Sequence, residues 1–404
     1  MQTFLRELRN RYFTCIADIV GKQDIQFVVL THLLDDRPEL LEALSRIAPI
    51  SLLIGIPYSI HQPTLELLQK TFPVETPSLD NLYDNEYLVS LVADNIDPDK
   101  PVVILEIGGY FAPLAKTLQT RLGGKLLGII EDTEAGHRRY EEYLATLPCP
   151  VISVARSELK ETEDHLVGSS CIYSTERMLR DLGFPLEGKS ALVLGYGKVG
   201  KGVAYSLYRR HCPVAVYDIN SIRRINALSE GFKVLNKRLA LTESELIFGA
   251  TGKCSVTRED FPFIKNGAML ISCSSKDTEF DLQYMRDNYV VDTVSDGIER
   301  FRNEQQVFYL LGQGRPINFR DGAVIGPVLS LVQAEIILAV QEILNQQGKN
   351  ILLETSKTAR ETLADMWLHQ FGDGSKGISY FDCAGIETTM NANDSQISKE
   401  LEKA

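Results

Sequence analysis

The sequence lacks paired cysteines, a long apolar run and an excess of basic charge, and each lack removes a class of protein. Its seven cysteines are scattered and none sits in a C-x-x-C pair. A disulfide framework and a cysteine-built zinc site are therefore not expected, no metal is expected, and a reduced compartment, the cytoplasm, is. The longest apolar run considered, ISLLIGI at 50–56, suits a buried strand and is far too short to span a bilayer. The opening stretch MQTFLRELRNRYF carries Arg6, Glu7, Arg9 and Arg11, so it lacks the apolar centre of a signal peptide. Acidic residues outnumber basic ones, 54 against 42, for a net charge of −12. That balance argues against a nucleic-acid or anionic-membrane surface, because phosphate binding needs a basic patch. There is no internal repeat, and the only biased stretch is a polar tail from Gly372, expected to be flexible.

What is present is alternation. Residues 24–32, 50–59, 102–110, 125–133 and 150–155 read as buried parallel strands separated by helical patterns. RPELLEALSRIA places Pro38 in the first turn of one of these helices. After CIYSTERMLRDLGF, read as a connecting helix, a second series follows at 191–197, 213–218, 244–251, 268–274, 289–294 and 306–312. The expected fold is α/β, with two doubly wound units built on parallel sheets. Beyond Gly314, VIGPVLSLVQAEIILAVQEIL reads as a helix returning to the first unit.

The chemistry begins at ALVLGYGKVGKG. Gly195-x-Gly197-x-x-Gly200 follows a strand and opens a helical pattern, and Asp218 ends the next strand about the expected distance on. Gly195 permits the tight turn, Gly197 lets backbone approach a pyrophosphate, and Gly200 allows close packing of helix on strand. Lys198 and Val199 open the helix, whose N–H groups and partial positive charge attract phosphate. Asp218 accepts ribose hydroxyls and favours NAD, whereas Arg223 and Arg224 nearby would accommodate the extra phosphate of NADP. The plain alternative is a glycine-rich turn that holds nothing.

GKSALVLGYGKVGKGVAYSL closely resembles the cofactor turn of the S-adenosyl-L-homocysteine hydrolases, which also reads G-Y-G-x-V-G-K-G. IIEDTEAG, SELKETEDHLVG, INALSEGFKV and GQGRPINF resemble further segments of that family in the same order. The resemblance spans about residues 1–345 and is strongest over 185–320. It implies a substrate domain at 1–170, an inserted NAD-binding domain at 171–320, a return helix at 321–371 and a flexible tail at 372–404. It implies tightly bound NAD that oxidises a ribose 3′-hydroxyl, after which a group at C5′ eliminates and water adds. It also implies a small nucleoside substrate and a homo-oligomer.

The resemblance assigns roles to named residues. Lys160 and Asp164 match the pair that handles the 3′-hydroxyl, with Lys160 as the base for its proton; read without the resemblance, they are a surface salt bridge. His32 matches a catalytic histidine that carries protons around C4′ and C5′, or it simply caps the next helix. Asp132 stands where the family has a ribose-binding glutamate, beside Glu131. Thr133, Thr251, Gly252 and Asn318 match positions along the nicotinamide half of the cofactor. Other positions depart. The family's catalytic aspartate falls on Ile107, where only Glu106, one residue earlier, offers a carboxylate. Its histidine near the 3′ carbon falls on Ser275, the G-H-P-S histidine is missing from AVIGPVLS, and Leu34 and Ser169 replace a threonine and a cysteine. The expected function is thus an adenosylhomocysteinase-like enzyme ending in hydrolysis, elimination or epimerisation. Its rivals are a regulatory nucleotide-binding paralogue without turnover and an ordinary dehydrogenase that releases NADH.

Overall fold

The computed structural model describes residues 2–274 and 278–372. Ser275 and the tail at 373–404 lie outside the described residues. Six strands, β1 (Gln26–Leu33), β2 (Ile50–Ile60), β3 (Val74–Glu75), β4 (Val102–Glu106), β5 (Leu126–Glu131) and β6 (Val151–Ser153), build a first sheet. β7 (Ala191–Leu194), β8 (Val214–Tyr217), β9 (Lys233–Val234), β10 (Leu246–Gly249), β11 (Met269–Ser272), β12 (Val290–Ser295), β13 (Ile298–Arg302) and β14 (Val307–Leu311) build a second. β15 (Leu352–Leu353) rejoins the first sheet beside β6.

The first sheet runs β15-β6-β5-β4-β1-β2-β3 and every pairing in it is parallel. β1 is buried along its whole length. That follows from QFVVLTHL, which is apolar on both faces, as a strand covered by helices on both sides must be. Helices Gln2–Val20, Pro38–Ile47 and Leu329–Asn345 cover one face, with Phe13, Leu41 and Ile337 in its core. Helices Asn85–Asn95, Ala115–Arg121 and Glu134–Glu142 cover the other, around Leu88, Leu118 and Tyr140.

The second sheet runs β12-β13-β14-β11-β10-β7-β8-β9. It is parallel from β9 to β14, but β12 and β13 add an antiparallel hairpin at its edge. This corrects the expectation of a purely parallel sheet. Its β13, IERFR, lies between β12 and β14 and sets buried Ile298 and Phe301 among the partly or fully exposed charges of Glu299, Arg300 and Arg302, so it does not read as a buried strand. The turn signal was nevertheless present: Asp296–Gly297 joins the hairpin, with Gly297 at φ +72°.

Each sheet reverses its winding once, the first between β4 and β1, the second between β7 and β10. Open α/β sheets bind ligands outside the carboxyl ends of the strands at such points. The helix Glu158–Asp181 leaves the first sheet after β6 and carries the chain to the second.

Candidate functional site

His32 ends β1 at an irregularity in the ladder. The register with β2 jumps from Thr31–Gly55 to Leu33–Ile60, a bulge that frees His32 and brings Ser59 to it. His32 Nδ1 and Ser59 Oγ are 2.5 Å apart, and Ser59 Oγ also lies 3.2 Å from the Ile56 carbonyl, to which it donates. The serine proton being used there, Nδ1–H is the donor to Ser59, and Nε2 keeps its lone pair. Burial, joined by the charges of Arg37 and Lys160 and opposed by Asp132, pushes His32 down to about 3. It is therefore a neutral imidazole with its Nε2 lone pair unprotonated. Its ring lies 4.9 Å from that of Phe319, in the loop that also holds buried Asn318.

Asp132 follows β5, and Lys160 lies in the first turn of Glu158–Asp181, which Ser157 caps. The Lys160 ammonium donates to Asp132 Oδ1 at 3.0 Å and to Glu163 Oε2 at 2.7 Å. Only 6% of Lys160 and 7% of Glu163 is exposed, so this is not the surface salt bridge that its charged sequence suggests. Burial works against the ammonium, but Asp132, Glu163 and Asp164 outweigh it and raise Lys160 above its usual value. Lys160 thus stands here as a cation at rest, donating hydrogen bonds to both Asp132 and Glu163. Burial alone would raise Asp132, yet Lys160 and Arg37 hold its carboxyl below the usual value.

Asp164, one helical turn on from Lys160, is raised by burial and held back by Lys160 and Lys198. Its Oδ2 is 3.9 Å from Lys198 Nζ, which also reaches the Ala155 carbonyl at 3.5 Å. Lys198 thereby links the glycine turn to the Lys160 cluster.

The glycine turn has the shape that its spacing requires. Gly195 has φ +94°, and a Cβ there would meet the Ala250 carbonyl oxygen at 2.6 Å. A Cβ on Gly200 would stand 1.9 Å from the Gly195 carbonyl oxygen, so only glycine fits. Gly197 is the N-cap of Lys198–Tyr208 and supplies no side-chain cap, which leaves the first-turn N–H groups for an anion. Val199 packs into the core of the second sheet. Asp218, 4% exposed, accepts Tyr196 N–H at 2.7 Å and Asn220 N–H at 2.8 Å, with Arg223 at 3.7 Å. A carboxylate has about four lone-pair sites, so acceptors remain for ribose hydroxyls. These residues fit a dinucleotide.

Thr251 and Gly252, across the switch point, depend on a residue that the sequence did not single out. Glu279, fully buried, accepts Thr251 N–H at 2.7 Å, Gly252 N–H at 2.6 Å, Thr251 Oγ1–H at 2.9 Å and the Ser274 hydroxyl. A lone glutamate between Thr278 and Phe280 in DTEFD carries no periodic signal, so nothing in the sequence marks it.

Two expected groups are engaged elsewhere. Thr133 Oγ1 donates to Glu131 at 2.7 Å and accepts Gly136 N–H at 3.1 Å as the cap of Glu134–Glu142. Glu131 also accepts Gly108 and Gly109 N–H at 3.0 and 2.9 Å, holding the loop after β4. Glu106 accepts Phe111 N–H and the Tyr140 hydroxyl, so it does not replace the carboxylate missing at Ile107. Among the described residues no helix is long and apolar enough to cross a membrane, and no group of three or more His, Cys, Asp or Glu is placed to hold a metal.

This is an α/β protein with an NAD-binding unit, and comparison with known proteins says of which kind. Residues 172–324 match the S-adenosyl-L-homocysteine hydrolase NAD binding domain. The chain is 27% identical over 297 residues to an S-inosyl-L-homocysteine hydrolase of Methanococcus maripaludis, covering 72% of this chain and 71% of that one. It is 28% identical over 285 residues to an adenosylhomocysteinase of Sulfurisphaera tokodaii (68% and 67% covered) and 26% over 238 residues to one of Thermotoga maritima (55% and 56%). The chain is a divergent relative of the S-adenosyl-L-homocysteine hydrolases, and its cofactor is NAD.

Proposed function

We propose that the protein is an enzyme that uses bound NAD to oxidise the ribose 3′-hydroxyl of S-adenosylhomocysteine or a related nucleoside thioether, as a prelude to reversible cleavage at C5′. The observation that carries this reading is the juxtaposition of Lys160, Asp132 and His32 with the glycine turn, through Lys198 and Asp164. Gly195, Gly197, Gly200 and Asp218 would hold NAD, which would supply a hydride acceptor. Two of the three N–H donors of Lys160 are taken by Asp132 and Glu163, and the third is free to bind the sugar oxygen. Asp132 fixes the direction of that donor. His32, neutral at rest, offers its Nε2 lone pair to the proton made acidic beside the new carbonyl. The relatives' names divide between adenosyl and inosyl substrates, so the base is a purine whose six-position the experiment must decide.

The test is to add S-adenosylhomocysteine, S-inosylhomocysteine, adenosine and inosine separately to protein carrying NAD, and to follow reduction of the bound cofactor. One of the four should reduce it and release or take up homocysteine. Ile107, apolar beside Asp132 in the first sheet's cavity, favours the second reading of a regulatory paralogue. Nucleoside binding with no reduction in any arm would establish that reading instead.

A further inference from the structure

Lys160 sits among more carboxylates than it needs. Asp132 alone would neutralise it, and that pair closes at 3.0 Å. Glu163 is a second carboxylate on the same ammonium, at 2.7 Å, and is equally buried. A further buried anion on a pair already balanced costs stability rather than adding it. Such a group is retained where its proton has work to do. The position from which another acid would come is closed, because Ile107 is apolar and Glu106 is bound to Phe111 N–H and Tyr140.

We propose, resting on the reading of Lys160 as the group that handles the sugar hydroxyl, that Glu163 is the proton store of this site. When the sugar C–H bond breaks, its hydrogen and electron pair go to the nicotinamide oxidant. The hydroxyl O–H bond breaks at the same time, and its proton goes to Lys160 as Lys160 passes one of its own to Glu163. A carbonyl forms, Lys160 ends with the number of protons it began with, and Glu163 carries the one released. The reverse sequence rebuilds the hydroxyl, so no proton crosses to solvent during a cycle. Glu163 acts on the substrate through Lys160 and is a positioning and relay residue.

The neighbouring acids are less suited. Asp132 is held below its usual value by Lys160 and Arg37, so it releases a proton readily and stores one poorly. Asp164 faces Lys198 at 3.9 Å. The charged groups facing Glu163 are Lys160 and Asp164 on its own helix and Asp132 from the loop after β5. Burial raises it, Lys160 opposes, and the two aspartates add, which leaves Glu163 at about 7. An acceptor near neutrality takes a proton and gives it back with little bias.

The experiment compares wild-type holoprotein with Glu163→Gln and Glu163→Asp, with adenosine as the probe. Three quantities are read across pH: the rate of bound-cofactor reduction, the cofactor content, and the infrared carbonyl band of a protonated buried carboxylic acid. In the wild type, reduction should slow as pH falls through about 7, and adenosine should bring up the carboxylic band. In Glu163→Gln the pH limb and the band should vanish, the rate at neutral pH should fall about a hundredfold, and cofactor content should hold. Glu163→Asp should keep a displaced limb. A Glu163→Gln protein with the wild-type limb and a rate within about twofold overturns the proposal, as does a wild type that reduces its cofactor with no new band; neither touches the proposed activity. Should the wild type itself fail to reduce its cofactor with adenosine, inosine or their homocysteine thioethers, the activity is wrong and this inference falls with it. The wild-type band decides the matter even if Glu163→Gln does not fold.

Discussion

Gly168 lies against Gly202 where the helix Glu158–Asp181 crosses the helix Lys198–Tyr208: a Cβ on Gly168 would stand 2.6 Å from the Gly202 carbonyl carbon and 2.5 Å from the Val203 nitrogen. A Cβ on Gly202 would in turn meet the His165 carbonyl oxygen at 2.4 Å. All of these neighbours are backbone, which cannot swing aside. The crossing sets the distance between Lys160, near the start of one helix, and the glycine turn that opens the other.

Gly168→Ala should therefore push the helices apart. Overpacking of this kind costs about 1–3 kcal/mol, visible as a lower urea midpoint with an unchanged slope. The same displacement should break the Lys198–Asp164 approach and weaken NAD binding in a fluorescence titration. Unchanged midpoint and NAD affinity would show that the crossing tolerates a methyl and does not position the site.

Much of this arrangement was readable beforehand, for definite physical reasons. The turn at 195–200 was legible because tight turning and close packing demand glycine at fixed spacing, and Asp218 because it ends the next strand. His32, Asp132 and Lys160 were found by resemblance, but their charge states were not, since these depend on burial and on partners far apart in the chain. Read without the resemblance, Lys160 is part of a surface salt bridge; folding buries it among three acidic neighbours. Glu163, Glu279 and Gly168 were missed for a related reason. Glu163, though only three residues from Lys160, gets its role from burial, which a charged run does not show. Glu279 and Gly168 get theirs from contacts between distant segments that no local pattern records, as when Glu279 latches the 251–252 turn.

That latch yields a second prediction. Glu279→Ala leaves the Thr251 and Gly252 N–H groups without their carboxylate. A buried donor left unsatisfied costs about 1–3 kcal/mol. The turn beside the nicotinamide half should loosen and NAD affinity should fall by about tenfold or more, while the 195–200 turn and Asp218 stay intact. NAD titration of the purified variant measures it, and an affinity equal to the wild type would remove Glu279 from the cofactor site.

Lys160→Met separates catalysis from stability. It should abolish cofactor reduction by substrate and leave cofactor binding in place. It also leaves Asp132 and Glu163 buried without their cation, a loss of about 3–5 kcal/mol near neutral pH. Their folded-state values then rise above the unfolded ones. A carboxylate raised in this way binds a proton more readily folded than unfolded, so the variant should gain stability relative to the wild type as pH falls from about 8 towards about 5. Melting curves across that range test the sign. A deficit that stays constant with pH would mean that the two carboxylates are not buried together.

His32 supplies the opposite slope. Its folded value is about 3, against an ordinary 6.5 that the unfolded chain should show. Above 6.5 both states hold neutral histidine and the group contributes no slope. Below it the unfolded chain takes up a proton that the folded site refuses, so stability drains away as pH falls from 6.5 towards 3, by about 1.4 kcal/mol per pH unit at most. Glu163 and the other raised carboxylates work in the contrary sense between their unfolded and folded values, so the wild-type curve alone mixes the two. His32→Gln isolates the term. The difference between wild type and variant should be flat above about pH 7 and should close in the variant's favour below about 6. If the difference is independent of pH down to about 4, the imidazole is not buried and neutral, and the role given to His32 Nε2 fails with it.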